Sequence, residues 1–240
     1  SLNGGIKLRH LLTLLDGSDY ADQALPLTQF FCETLRSQLT LLSSSREFQN
    51  DLQKKGELEN HLCGVAEKIH AAGIQVNCNV RTERPAEATQ QVVTEQGVDM
   101  VIVTTRGRSG EKNWLAEGLS SKLVHLLDIP VLLVQVFESG PPQAPHIGRI
   151  LVALDGSVFA EQLLPYARLL GEKFDCELML VSVPAVPESE KYRAPVSVIK
   201  AIRKQAETSM QNYLNRIAEQ LRQKGLTVTT VVTGSYPART

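Results

Sequence analysis

The sequence predicts an α/β protein made of two copies of one fold, each a parallel β-sheet covered by helices on both faces. Three observations support this class. Short apolar, β-branched runs alternate with longer runs of helical periodicity, the pattern of right-handed βαβ units. A stretch near the start of the chain recurs later at a fixed offset. Between the copies, residues 138–148 hold three prolines and two glycines without periodicity, which indicates a linker.

Five strands and four helices are predicted in the first copy. Ser18 and Asp19 suit a helix start, Pro85 opens a later helix, and Gly73 and Gly97 are placed as helix stops. The predicted strands are residues 6–15, 39–43, 74–80, 98–103 and 130–136, and the predicted helices are residues 19–36, 51–72, 85–96 and 117–127.

The second copy is identified by an ungapped match. LLTLLDGSDYADQALPL from Leu11 aligns with ILVALDGSVFAEQLLPY from Ile150, and nine of seventeen positions are identical. The predicted domains are 1–137 and 149–240, joined by the linker 138–148. Counterparts of residues 89–136 are absent, so the second copy lacks its last two strands. We expect an uncovered apolar edge at residues 150–154, and a chain that is a fragment of something longer.

The predicted topology brings two loops together. If the first sheet has the order 3-2-1-4-5, its order reverses between the first and fourth strands, where ligands bind at strand carboxyl ends. Asp16 follows one of these strands and the glycine-containing stretch from Thr104 to Gly110 follows the other. A helix comes next, and its first backbone N–H groups could receive an anion.

Composition excludes several function classes. The chain has 240 residues, 42% of them hydrophobic, a net charge of −1, and only 5% aromatic residues. Nucleic acid is therefore not expected as a partner. The four cysteines and five histidines lack metal-ligand spacing, so no metal site is predicted. The sequence contains no apolar run long enough to span a membrane, and we expect the protein to be cytoplasmic.

Several motifs together resemble the universal stress protein family, in a tandem arrangement covering nearly all of the chain. They are LLDGS and LVALDGS after the first strand of each copy, RPAEAT, VDMVIVTTRGRSG, and IPVLLVQV. The resemblance implies a Rossmann-like five-stranded parallel sheet and a non-enzymatic stress-response role. It also implies self-association through sheet edges or between the two copies.

Nucleotide-binding members of this family resemble one another in a motif G-x-x-G-x(9)-G-[ST], with an aspartate near the adenine. The resemblance places Asp16 at that aspartate and Asp155 at its counterpart in the second copy. ATP is the implied cofactor. The residues that this comparison and the crevice predict as an ATP site are Asp16, Gly17, Thr104, Arg106, Gly107, Arg108, Gly110 and Gly118.

The motif departs from the family pattern. With Trp114 and Lys122 in the family's register, the first glycine falls on Thr104, the second on Gly107, the third on Glu117 and the hydroxyl residue on Gly118. Glu117 would bring a carboxylate to the phosphates, and Glu83 replaces another common glycine. A second register starts at Gly107 and Gly110 and puts Ser120 and Ser121 at the last two positions.

Alternatives remain open at this stage. Asp16 could instead cap the helix that follows it, and Gly107 and Gly110 could be turn glycines. Three functions are compatible with the fold: a stress-family protein with a degenerate ATP site, an ATP- or AMP-binding member with slow hydrolysis, and an ATP-pyrophosphatase. The last ranks lowest, because LLDGSDYAD lacks a serine- and glycine-rich phosphate loop. No G-x-G-x-x-G motif follows either first strand, which disfavours a dinucleotide oxidoreductase.

Overall fold

The computed structural model describes residues 5–105, 118–136, 145–184 and 196–233. The chain divides into two compact units, with the division between Pro145 and His146. The unit from Lys7 to Pro145 is called the first unit, and the one that begins at His146 the second unit. The predicted linker and the proline-containing loop at 184–195 lie mostly outside the described residues.

The first unit contains a five-stranded parallel sheet in the order β3-β2-β1-β4-β5, which confirms the predicted topology. In this order β2 and β3 lie on one side of β1, and β4 and β5 lie on its other side. The strands are β1 (His10–Leu14), β2 (Gln38–Ser44), β3 (Val76–Arg81), β4 (Met100–Thr104) and β5 (Val131–Val134).

The helices of the first unit agree with the predicted ones except near the start. The single helix predicted at 19–36 is two helices, because the chain breaks after Gln23 and Pro26 lies in the first turn of the second. A short 3-10 helix, Arg46–Gln49, follows β2. The helices are α1 (Asp19–Asp22), α2 (Leu25–Leu35), α3 (Leu52–Ala71), α4 (Pro85–Gln96) and α5 (Leu119–Leu126).

Both faces of this sheet are covered. Leu12 and Leu14 of β1 pack in a cluster with Val92 of α4 and Leu123 of α5. Alternate residues point the other way: the Thr13 hydroxyl lies 3.0 Å from the Thr28 hydroxyl of α2. Burial on both sides explains why every residue of β1 is apolar or internally hydrogen-bonded.

The second unit has a three-stranded parallel sheet in the order β6-β7-β8, so the predicted incomplete second copy is confirmed. Its core is formed on one face, where leucines of β7 pack against two helices, α7 and α8. The elements are β6 (Arg149–Ala153), α6 (Val158–Glu161), α7 (Leu164–Phe174), β7 (Glu177–Ser182), α8 (Val196–Arg222) and β8 (Val228–Val232).

The opposite face of the second sheet is exposed in the described part of the chain. Leu151 of β6 is 61% exposed and Val231 of β8 is 39% exposed. Leu151 is the repeat counterpart of Leu12, which is fully buried beneath α4 and α5. Next to β6, Val158 and Phe159 of α6 are each 80% exposed. The exposed apolar side chains of β6 and β8 are therefore the uncovered apolar surface that was expected at the incomplete second sheet.

Candidate functional site

The candidate site lies where β1 and β4 end. These strands pair in parallel with Leu12 opposite Val101 and Thr13 opposite Ile102, so their carboxyl ends open at the same edge of the sheet. Asp16 and Gly17 follow β1, and Thr104 is the last residue of β4. The strand order reverses here, which is the position at which α/β sheets bind ligands.

The Asp16 carboxylate is held by a local turn. Its Oδ1 accepts hydrogen bonds from the Ser18 backbone N–H at 3.0 Å and from the Ser18 hydroxyl at 2.5 Å. The Ser18 hydroxyl in turn accepts from the Ala21 N–H at 3.2 Å, so it caps α1. Gly17 has a φ of +74°, a conformation that a residue with a Cβ adopts at a cost. The carboxylate of Asp16 therefore holds the hydroxyl that caps α1, and the cap itself is Ser18.

The start of α5 forms the other side of the crevice. Gly118 is its N-cap residue with extended backbone, and no side chain caps the helix. The Ser120 hydroxyl donates to the Thr104 carbonyl at 3.0 Å in a buried setting, which fastens the first turn of α5 to the end of β4. Within the described residues, Gly118 gives the first backbone N–H groups of α5 no side-chain acceptor, which is the arrangement found at anion sites.

Ser120 is a positioning residue that the sequence analysis did not identify as one. It entered only in the second register, as a replacement for a glycine. Its hydroxyl donates a hydrogen bond to the Thr104 carbonyl, and the residue is 5% exposed. A pair of serines in the first turn of a predicted helix was the available signal, since such hydroxyls commonly bond to nearby backbone.

Glu83 is engaged in its own turn. Its carboxylate accepts from the Thr82 N–H at 3.0 Å, and its backbone carbonyl accepts from the Ser44 hydroxyl at 2.6 Å. The bond from Ser44 connects the ends of β2 and β3. The carboxylate that replaces a common family glycine is therefore used in local structure.

Four of the predicted site residues, Arg106, Gly107, Arg108 and Gly110, lie outside the described residues, as do Trp114 and Glu117. Of the predicted set, the structure places Asp16, Gly17, Thr104 and Gly118. The first three flank the reversal point, and Gly118 is linked to it through Ser120 two residues later.

The second unit repeats the aspartate turn. Asp155 Oδ1 accepts from the Ser157 N–H at 2.8 Å, the Ser157 hydroxyl caps α6, and Gly156 has a φ of +85°. Hydrogen bonding from the Ser157 side chain, then from its backbone, lowers the pKa of Asp155. Within the described residues no strand pairs with the other side of β6, so this turn faces no second crevice wall.

The described residues contain neither a metal-binding cluster nor a membrane-spanning helix. No group of three or more His, Cys, Asp or Glu side chains is arranged there to hold a metal ion. No helix among these residues is long and apolar enough to cross a membrane.

Sequence comparison identifies relatives of both units. The family model described as universal stress protein family matches residues 7–135 and 146–240. The universal stress protein YxiE of Bacillus subtilis (strain 168) is 27% identical over 148 residues, which span 52% of this chain and 97% of that protein.

Solved structures share the fold across both units. A universal stress protein from Archaeoglobus fulgidus DSM 4304 superposes with a TM-score of 0.67 at 18% identity, covering 94% of this chain and 77% of that one. A protein from Pseudomonas aeruginosa UCBPP-PA14 gives a TM-score of 0.61 at 18% identity, covering 94% of this chain and 82% of that one. With the family model matching both units, the chain belongs to the universal stress protein family.

Proposed function

We propose that this chain is a non-enzymatic stress-response module whose first unit carries a degenerate ATP site with weak or absent ATP binding. The observation that carries the proposal is the start of α5. Gly118 begins this helix beside the crevice without a capping side chain, and the residue immediately before it in the sequence is Glu117. An anion approaching these N–H groups would therefore approach a carboxylate.

This repulsion would remove about half of the free energy of a micromolar nucleotide complex, which is about 8 kcal/mol. Two like charges about 4 Å apart repel by about 4 kcal/mol at an effective dielectric constant of 20. Such a penalty would turn a micromolar dissociation constant into a millimolar one. Arg106 and Arg108 precede Glu117 in the same connection and would offset part of it.

The hydrogen bonds made by the serine hydroxyls beside the crevice support a non-enzymatic role. The Ser18 hydroxyl donates to Asp16 and accepts from the Ala21 N–H, while the Ser120 hydroxyl donates to the Thr104 carbonyl. Each is committed to holding the fold, whereas a nucleophile needs a base that takes its proton.

The alternative is an ATP- or AMP-binding protein with at most slow hydrolysis. It is favoured by the same crevice, because Asp16 and the uncapped start of α5 flank the reversal point. In this alternative Asp16 contacts the adenine and the arginines neutralise Glu117. The two functions differ in one measurable quantity, the affinity for ATP.

Self-association is proposed as the mode of partnership. β5 is an edge strand of the first sheet, paired only with β4 in the described residues, and its four residues are half-buried. A second sheet edge of this kind could pair with it in an intermolecular sheet.

Calorimetric titration with Mg-ATP tests the proposal in three proteins: wild type, Glu117→Gln and Glu117→Gly. We expect little or no heat for wild type, tighter binding for Glu117→Gln because the charge is gone, and the tightest for Glu117→Gly because the side chain is gone too. Micromolar binding by wild type would establish the alternative. Unchanged weak binding in both variants would show that Glu117 is not what excludes ATP.

A matched pair of aspartate variants separates the adenine role from the capping role. In the Glu117→Gly background, Asp16→Asn should weaken ATP binding, whereas Asp155→Asn should not, because that turn faces no second wall in the described structure. Equal effects of the two substitutions would mean that Asp16 acts only through its turn.

A further inference from the structure

Two exposed cysteines meet where α3 packs on the edge of the first sheet. Cys63 lies on α3 and Cys78 lies on β3, and both side chains are exposed. The other two cysteines, Cys32 and Cys176, are buried. Neither Cys63 nor Cys78 belongs to the candidate ATP site, which opens at the ends of β1 and β4.

One hydrogen bond places the two thiols near each other. Cys78 Sγ donates to the Leu62 carbonyl oxygen at 3.6 Å. This carbonyl belongs to the peptide bond that joins Leu62 to Cys63, and its oxygen lies about 2.8 Å from the Cys63 Cα by standard peptide geometry. Cys78 Sγ is therefore within about 6.4 Å of the Cys63 Cα. In a disulfide the two Cα atoms are about 4.4–6.8 Å apart, so closing the bond requires the Cys63 side chain to turn toward β3 and α3 to move with it.

The two thiols differ in their surroundings. Burial, and then the neighbouring Cys63, raise the pKa of Cys78, whose S–H is directed at the helix carbonyl. Cys63 is on the solvent side of α3, next to the fully buried Leu62. A dissolved oxidant reaches Cys63 directly, and Cys78 is positioned to attack the product.

We propose that Cys63 and Cys78 are a peroxide-responsive thiol pair that closes to an intramolecular disulfide. Hydrogen peroxide transfers one oxygen to the Cys63 thiolate, giving a sulfenic acid and hydroxide, which takes up the thiol proton as water. The Cys78 sulfur then attacks the Cys63 sulfur and displaces a second water. Overall two thiols and one peroxide give one disulfide and two waters, with the two electrons passing from sulfur to oxygen.

The disulfide would link α3 covalently to β3, an edge strand of the first sheet. Among the described residues β3 is paired only with β2, and α3 packs against it. Oxidation would restrict the unfolded chain between the two cysteines. The oxidised protein should therefore melt at a higher temperature than the reduced protein.

The test begins with the fully reduced whole chain, treated with hydrogen peroxide, quenched with N-ethylmaleimide and digested with trypsin. Lys68 lies between the two cysteines, so the proposed disulfide links peptide 56–68 to peptide 69–81. Mass spectrometry should find this linked pair, lighter than the separate peptides by two hydrogen masses and lost on reduction. Its formation rate should not depend on protein concentration.

Single variants and a denatured sample complete the design. Cys78→Ser should leave a Cys63 sulfenic acid that dimedone traps, whereas Cys32→Ser and Cys176→Ser should leave the linked pair intact. In concentrated urea the linked pair should form at least tenfold more slowly. Equal rates in urea, links only between different molecules, or over-oxidation of Cys63 without a link would each overturn the proposal.

Discussion

At the residue scale, the most informative comparison is between Asp16 and Asp155. Both accept from the N–H of a serine two residues later, and both serines cap a short helix. Both turns contain a glycine with positive φ. The three-residue sequence Asp-Gly-Ser therefore determines the turn in either unit, and any difference in function must come from what surrounds it.

The first prediction concerns the ionisation of Asp155. Its pKa is lowered mainly by the Ser157 side chain. Ser157→Ala removes that hydroxyl and should raise the pKa toward the ordinary value, while Ser157→Thr should preserve it. Side-chain carboxyl chemical shifts measured by NMR across an acid titration would show the difference.

The sign of the stability effect follows from the same shift. A carboxyl with a lowered pKa stabilises the folded state above its ordinary pKa of 3.8, and the contribution is lost as the pH falls through the folded-state value. Ser157→Ala should therefore destabilise the second unit at every pH, because the cap of α6 is lost, and it should do so by a larger amount near neutral pH than in strong acid. An unchanged Asp155 titration in Ser157→Ala would assign the shift to the backbone bond alone.

At the element scale, two helices contain interior glycines with opposite surroundings. A Cβ built on Gly64 of α3 would meet no atom within 4 Å. A Cβ on Gly171 of α7 would lie 2.9 Å from Leu226 Cδ2 and 3.1 Å from Leu178 Cδ2. Gly171 lets α7 approach the second sheet closely, whereas Gly64 only adds backbone freedom to the unfolded chain.

The second prediction is a pair of alanine substitutions. Gly64→Ala should stabilise the first unit by about 0.5–1 kcal/mol, because it removes unfolded-state freedom without a clash. Gly171→Ala should destabilise the second unit by about 1–3 kcal/mol, because buried leucines must move. Urea denaturation followed by circular dichroism measures both. Equal effects of the two substitutions would contradict the packing at Gly171.

The helix predicted at 19–36 shows what periodicity can and cannot reveal. Ala21, Ala24 and Thr28 are all buried, so the apolar pattern continues across the break between α1 and α2. Periodicity reports which side faces the core, not whether the backbone bonds are continuous. Pro26, which lacks an N–H and favours a first turn, was the residue that marked the new start.

The part of the candidate site that depends on strand order was predictable from the sequence. The part that depends on hydrogen bonds to main-chain carbonyls was not. Strand order alone brings Asp16 and Thr104 to one edge, and the alternation of strands and helices indicates that order. Ser120 bonds to the main-chain carbonyl of Thr104, which any residue there would supply. The pair of serines at the start of the predicted helix indicates that a hydroxyl bonds to backbone, but it does not indicate which carbonyl accepts.

At the scale of the whole molecule, the repeat places identical residues in unequal environments. Leu12 is fully buried between β1 and the layer formed by α4 and α5, whereas its counterpart Leu151 is 61% exposed. In the described part of the second unit, α7 and α8 pack against one face of the sheet. The sequence match is preserved, but the amount of apolar area removed from water is not.

The third prediction uses this pair. Leu12→Ala should destabilise the first unit by about 2–5 kcal/mol, since it leaves a cavity in a closed core. Leu151→Ala should change the stability of the second unit by about 0.5 kcal/mol or less, as surface substitutions do. Native-state hydrogen exchange of the β1 and β6 peptides measures the two effects separately. A large loss of protection in Leu151→Ala would mean that β6 is covered in solution.

The order of strand pairing has a consequence for how each sheet assembles. In the second unit each strand pairs with its neighbour along the chain, whereas β4 of the first unit must return past β2 and β3 to reach β1. Contacts that close a long loop form late, because the entropy of closure is lost before they stabilise anything. We therefore expect β1, β2 and β3 to associate first with α2 and α3, and β4, α5 and β5 to dock afterwards. The sheet of the second unit, β6-β7-β8, has the same strand order as the three strands that we expect to associate first in the first unit.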